Sequence, residues 1–169
     1  MDVIEAIMTR RSIRKYTGTS LAEETIAQLL RAAMSAPSSK NEQPWVFVVI
    51  DDRQLLNEIP KFHPYAGMIS TAPVAILICA DERRFLSEEI WIQDCAAATQ
   101  NMLLAAHGME LGAVWLGVYP RRERVEGVTR LLSLPEPIIP FSLVVAGYPA
   151  EQKPPVNRYD ESRVHRNGW

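Results

Sequence analysis

A chain of 169 residues that is 47% hydrophobic holds enough apolar material for one domain with a packed core. Its net charge of −2 excludes a general electrostatic affinity for nucleic acid, so the basic run Arg10–Lys15 is a local feature of a mildly acidic protein. No window approaches the roughly 20 apolar residues needed to cross a membrane, and the acids Asp2 and Glu5 argue against a signal peptide. Cys79 and Cys95 sit in apolar runs outside any metal-ligand spacing, which predicts reduced, buried thiols in a cytoplasmic protein forming one domain over residues 1–169.

Val3, Ile4, Ile7 and Met8 recur at helical spacing and predict a short amphipathic helix over residues 2–9. In the extended segment that follows, Ser12 and Arg14 point the same way. Ser20–Glu23 reads as a capping box ahead of the apolar stripe Leu21, Ile26, Leu29, Leu30 and Ala33, and Pro37 stops that helix near Ala36. Trp45–Ile50 reads as a buried strand, 52–59 as a helix ended by Pro60, 61–71 as loop and 72–80 as a second buried strand. Ser87 is expected to cap a long helix reaching about Leu111, whose small side chains suit close packing in the core or against a second subunit. A third strand over 112–120, a charged helix over 121–132 and a fourth strand over 141–149 follow. Residues 152–169 are polar and proline-bearing yet end in Val164 and Trp169, which predicts an extended tail docked on another surface, with Trp169 as an anchor. The alternation of strands and helices permits a doubly wound sheet, but no strand leads into a Gly-rich dinucleotide fingerprint or a P-loop.

Two stretches carry chemistry. "TRRSIRKY" (Thr9–Tyr16) places four cations and a serine together without an acid. Guanidinium forks match phosphate oxygens, and Ser12 adds a hydroxyl donor. The bland alternative has Arg10 and Arg11 complementing the C-terminal dipole of the first helix. RNA phosphates are disfavoured because no basic patch with aromatics recurs elsewhere. "SAPSSKNEQPW" (Ser35–Trp45) is a loop crowded with short hydrogen-bonding side chains between a helix and a strand, where ligands are commonly held. His63 and His165 belong to no metal-ligand pattern, and His107 at a helix end reads as structural.

Taken in order, R-R-S-x-R, then A-P-S-S-x-N-x-Q-P-W, then W-L-G at a strand end and an arginine-bearing tail resemble the nitroreductase family of flavoproteins over nearly the whole chain. The resemblance implies an α+β fold, with a central mixed, mainly antiparallel sheet flanked by helices, and an intertwined homodimer on which residues 152–169 dock. It implies FMN as cofactor. Arg10, Arg11, Ser12 and Arg14 would grip its phosphate and ribityl chain, and Arg158 would complete the phosphate site. Pro37, Ser38, Ser39 and Asn41 would meet the isoalloxazine from the partner subunit. Leu116, Gly117 and Val118 would lie beside the ring with backbone N–H groups toward N5. Trp91 and Phe85 are candidates to cover the ring, or else packing residues.

The implied reaction passes hydride from NADH or NADPH through flavin N5 to a small acceptor such as a nitroaromatic or quinone, in ping-pong fashion and without a catalytic side chain or metal. A flavin-binding module without turnover, or oxygen-dependent destruction of the flavin as in some relatives, are the alternatives. The chain departs from larger relatives in lacking a long helical insertion between Phe62 and Trp91, in having no acid within "WLGVY", and in having no counterpart near Tyr65 of an asparagine that approaches the flavin.

Overall fold

The most apolar run of the chain becomes its central strand. In the computed structural model, which describes residues Met1–Trp169, β2 (Val74–Asp81) is buried at all eight positions. Continuous burial of this kind requires cover on both faces. β1 (Trp45–Ile50) flanks it on one side and β4 (Ile138–Gly147) on the other, and β3 (Gly112–Gly117) completes the order β1-β2-β4-β3 with every pair antiparallel. A single parallel bridge, Ser12 with Ala113, lies outside β3. The chain is therefore α+β, and the doubly wound alternative does not apply.

The alternation of β2 sorts the core into two halves. Ile76 and Ile78 face α2 (Glu23–Met34) and α4 (Trp91–Gly108), packing with Leu29, Met102 and Val144. Ala75, Leu77 and Cys79 face the layer containing α3 (Arg53–Glu58) and α5 (Arg122–Leu132), packing with Leu56, Val128 and Leu143. Burial raises the Cys79 thiol to about 12, and both cysteines are unpaired. No helix is long and apolar enough to cross a membrane.

Several boundaries differ from the sequence expectation. The capping box does not form: Ala22 is the N-cap of α2 and makes no side-chain bond, because Leu21 is drawn into the core and the helix starts two residues later than Ser20 would allow. Glu23 and Glu24 complement the dipole in its place. Ser87 does not cap α4 either. Its carbonyl accepts the Ile90 N–H at 3.3 Å in a preceding turn, and the helix starts at Trp91. The buried Trp91 ring packs there, 5.9 Å from Phe85 and 4.9 Å from Tyr119. Residues 67–71, expected as loop, form a 3-10 turn.

β4 starts three residues early and carries Pro140 inside the sheet. It can do so because the register shifts at Ile78/Cys79 and leaves Phe141 as a bulge residue. The Phe141 carbonyl then accepts the N–H groups of Val118 (3.2 Å) and Tyr119 (2.9 Å), which ends β3 at Gly117 and not at Pro120.

α1 (Val3–Thr9) is capped by Asp2, which accepts the Glu5 N–H. Within the chain it buries only Ala6, and Val3, Ile4, Ile7 and Met8 all face outward.

Candidate functional site

The cationic motif is extended because both of its sides are paired. Ile13 N–H donates to Ala113 at 3.0 Å, Thr17 N–H to Tyr148 at 3.0 Å, and Ala150 N–H to Lys15 at 2.8 Å. The approach to β3 is close enough that a side chain at Gly112 would meet Ile13 at 2.6 Å. Two residues absent from the sequence reading hold the motif from the tail. Glu151 accepts the Arg14 N–H at 2.5 Å, and Lys153 donates to the Ser12 carbonyl at 2.7 Å while lying 3.4 Å from Glu151. The Arg14 N–H, and then Lys153, hold the Glu151 carboxyl below its usual range.

The four cations expected to act together divide into three roles. Arg11 donates to the carbonyls of Arg10, Met8, Pro154 and Val156, at 2.5, 3.1, 3.1 and 3.3 Å. Its fork is spent on tying the root of the tail to the end of α1. Arg10 is half-buried and makes no ion pair. Burial, then the charges of Arg11 and Arg158, lower its pKa. A half-buried guanidinium without an acid partner suits an anion. Arg14 faces elsewhere. With His63, Tyr65, Met68, Trp115, Leu116, Gly117 and Arg124 it lines a cavity of about 380 Å³. A larger groove of about 700 Å³ between α3 and α5 is lined by paired charges such as Lys61 with Glu58 and Arg122 with Glu126, and contains none of these residues.

Gly117 is the open edge of the cavity. A Cβ built there meets nothing within 4 Å. Its carbonyl accepts from His63 Nε2 at 3.0 Å and Arg124 Nη1 at 2.7 Å, not from β4. In an antiparallel ladder the N–H and C=O of one residue point to the same side, so the Gly117 N–H also faces away from β4. The Val118 N–H is taken by Phe141, and the side chains of Leu116 and Val118 are buried in the core. Of the W-L-G-V main chain, Gly117 thus carries the donor that remains available, and Val118 is removed from that role.

The second motif is a strained loop. Lys40, Asn41 and Gln43 have φ of 49°, 57° and 48°, a region costly to residues with a Cβ. Ser38 Oγ accepts the Gln43 N–H at 3.0 Å, Asn41 Oδ1 accepts Gln43 Nε2 at 3.0 Å, and Ser39 N–H donates to Asp94 at 3.1 Å. Asp94 is the single charged carboxylate of α4 and is 5% exposed. A lone acid in an alanine-rich helix was the available signal for it. Pro37, Ser38, Ser39 and Asn41 do not line the Gly117 cavity of their own chain.

His107 is structural. Thr9 Oγ1 gives its proton to Glu5 O at 2.7 Å, so the His107 Nε2–H donates to Thr9 at 2.8 Å and joins α4 to α1. Trp169 stacks on His165 at 4.3 Å and is otherwise fully exposed.

The model of the nitroreductase family matches residues 7–68 and 62–148. A protein of Methanothermobacter thermautotrophicus, provisionally named NADH dehydrogenase/NAD(P)H nitroreductase, is 51% identical over 100% of this chain and 88% of its own length. A structure from Bacteroides thetaiotaomicron under the same provisional name superposes with a TM-score of 0.94 at 43% identity, covering 99% of this chain and 98% of that one. A protein from Desulfovibrio desulfuricans, provisionally named a nitroreductase and solved in complex with FMN, superposes with a TM-score of 0.87 at 33% identity, covering 100% and 98%. With its motifs in order on an antiparallel α+β scaffold and the family pattern spanning most of its length, the chain belongs to the nitroreductase family.

Proposed function

We propose that this protein is an FMN-dependent oxidoreductase that takes hydride from NADH or NADPH and passes it to a small acceptor such as a nitroaromatic or quinone. The observation that carries the reading is a cationic motif in which Arg10 has no acid partner and Arg14 lines an open cavity edged by Gly117. FMN fits these residues: its phosphate bears about two negative charges near neutral pH, and its flat ring needs backbone without a side chain in front of it. The cofactor supplies the redox chemistry, accepting hydride and giving it up again.

The chain's own residues bind and orient. Arg10 and Arg158 take the phosphate, and the Ser12 hydroxyl, free of partners in the chain, adds a donor. Arg14 lends positive charge to the cavity, and the Gly117 N–H offers a main-chain donor at its edge. Arg11 serves indirectly, by holding the tail that carries Arg158.

The site is completed in a homodimer, with the Pro37, Ser38, Ser39 and Asn41 loop supplied by the second copy. The outward apolar face of α1 and the exposed Val164 and Trp169 support such an assembly. Two buried, unpaired cysteines suit the cytoplasm. One open face serves donor and acceptor in turn, which makes the turnover ping-pong.

The purified protein should be yellow, bleach anaerobically on addition of NADH or NADPH, and recover colour with an acceptor. Double-reciprocal plots at several acceptor concentrations should be parallel. Bound flavin that neither nucleotide bleaches would replace the reductase reading with that of a binding module, and loss of the flavin itself on exposure to oxygen would indicate its destruction.

A further inference from the structure

We propose that His63 and Arg124 are positioning residues that clamp the Gly117 carbonyl and so hold the end of β3 at a fixed height against the ring of the bound flavin. The inference rests on the flavin reading above and adds two residues to it.

Gly117 is where β3 has least to hold it. It is the last residue of an edge strand, it has no side chain to pack, and glycine is the most mobile residue a strand can contain. On its outer side the ladder ends with the bridge at Ala113, four residues earlier. The two bonds to its carbonyl replace that missing neighbour. They come from different elements, His63 from the segment after α3 and Arg124 from α5. Two anchors set at 3.0 and 2.7 Å from separate supports fix a point that one would leave free to swing.

Each donor is itself held. A carbonyl only accepts, so His63 Nε2 must carry the proton, which leaves Nδ1 as an acceptor. Nδ1 is buried without a partner, and the residue is 2% exposed. Protonation would bury a second, unpaired N–H, and burial accordingly lowers the pKa of this histidine, with Arg124 contributing. The imidazole is thus kept neutral, as a one-proton donor. Arg124 sits over the Tyr65 ring, 5.5 Å from its centroid, which restrains the guanidinium by a cation–π contact. Its charge lines the same cavity as Arg14, so the clamp also makes the cavity more positive. That charge favours the reduced, more negative form of the cofactor.

Full-length His63→Leu, His63→Gln and Arg124→Met proteins test this. Amide exchange at Gly117, measured before and after FMN is added, should speed up about tenfold in His63→Leu and Arg124→Met. FMN should dissociate roughly tenfold more readily from both. His63→Gln can place an amide N–H near the former Nε2 position and should restore both values. Arg124→Met should also shift the oxidised-to-reduced balance about tenfold, a midpoint potential lower by about 30 mV for a two-electron couple. Glutamine at 63 should leave the potential unmoved.

Unchanged Gly117 exchange and unchanged FMN affinity in Arg124→Met would overturn the clamp. That side chain is only half-buried, so this variant decides the matter even if His63→Leu fails to fold. A wild-type protein that binds no FMN would instead overturn the flavin reading and the role assigned here with it. Wild-type binding with indistinguishable variants would overturn the clamp alone.

Discussion

Replacing Gly117 by alanine should separate cofactor binding from folding. The added Cβ meets no atom within 4 Å, and the backbone lies outside the left-handed region, so the protein alone can accept it. Removing glycine's freedom from the unfolded chain should stabilise the apoprotein by about 0.4–1 kcal/mol. For a domain of this size that is roughly 1–4 °C in Tm. The same methyl projects about 1.5 Å from the backbone into the space a flat ring would occupy at van der Waals contact, about 3.5–4 Å. The ring must retreat by a comparable distance and stretch its bond to the Gly117 N–H. A crowding cost of about 1–3 kcal/mol and a neutral hydrogen bond of about 1 kcal/mol combine to roughly 2–4 kcal/mol, or about thirty- to seven-hundredfold in dissociation constant.

Flavin titration and a thermal melt of the same preparation measure both effects. Gly147→Ala supplies the opposite pattern. Its Cβ would lie 2.6 Å from the rigid Pro73 ring, which predicts a lower Tm. Gly117→Ala with wild-type FMN affinity would refute the assignment of that cavity edge to the ring.

Arg10→Ala should weaken FMN about ten- to a hundredfold while leaving riboflavin binding alone, and Arg14→Ala should weaken both ligands; parallel titrations would expose the error if Arg10 proved indifferent to the phosphate. His63 and His107 both have lowered folded-state pKa values, from burial first. Below the unfolded value of about 6.5 the unfolded chain therefore binds more protons, so stability is full above that pH and declines below it. Urea melts at pH 7.5 and 5.5 should show the decline, and His63→Gln should reduce it. Deleting 157–169 removes Arg158 and the exposed Val164 and Trp169 but spares the carbonyls of Pro154 and Val156 that Arg11 grips. Dimer stability and FMN content should fall together in that variant, and intact holoprotein sedimenting as a monomer at micromolar concentration would contradict the assembly.

The elements whose residues interact mainly with their near neighbours in sequence were legible early. An unbroken apolar run marked β2 as a buried strand, because only a strand covered twice can be apolar at every position. The periodicity of Ile26, Leu29 and Ala33 marked the buried face of α2. Asp52, unremarked in the sequence, caps α3 by the same local chemistry that made Ser20 and Ser87 look like caps. Those two serines failed because Leu21 and Trp91 are buried and set where their helices begin. A cap contributes about 1 kcal/mol, whereas burying a large apolar side chain contributes more.

Residue type made a phosphate one reading of the cationic motif, since guanidinium forks match phosphate oxygens, and the flat ring entered only through the resemblance to the family. Which arginine does what was decided only by the tertiary structure. Arg10 and Arg11 are adjacent and chemically identical, yet one keeps its donors free and the other spends them on the carbonyls of Pro154 and Val156, more than 140 residues away in sequence. The setting of Gly117 is likewise made by His63 and Arg124, which arrive from two other elements, and by Phe141, whose carbonyl takes the N–H of Val118. Charge and shape are properties of a residue and can be read from the chain. Whether a donor is still available depends on which acceptors the fold brings to it, and those come from anywhere in the chain.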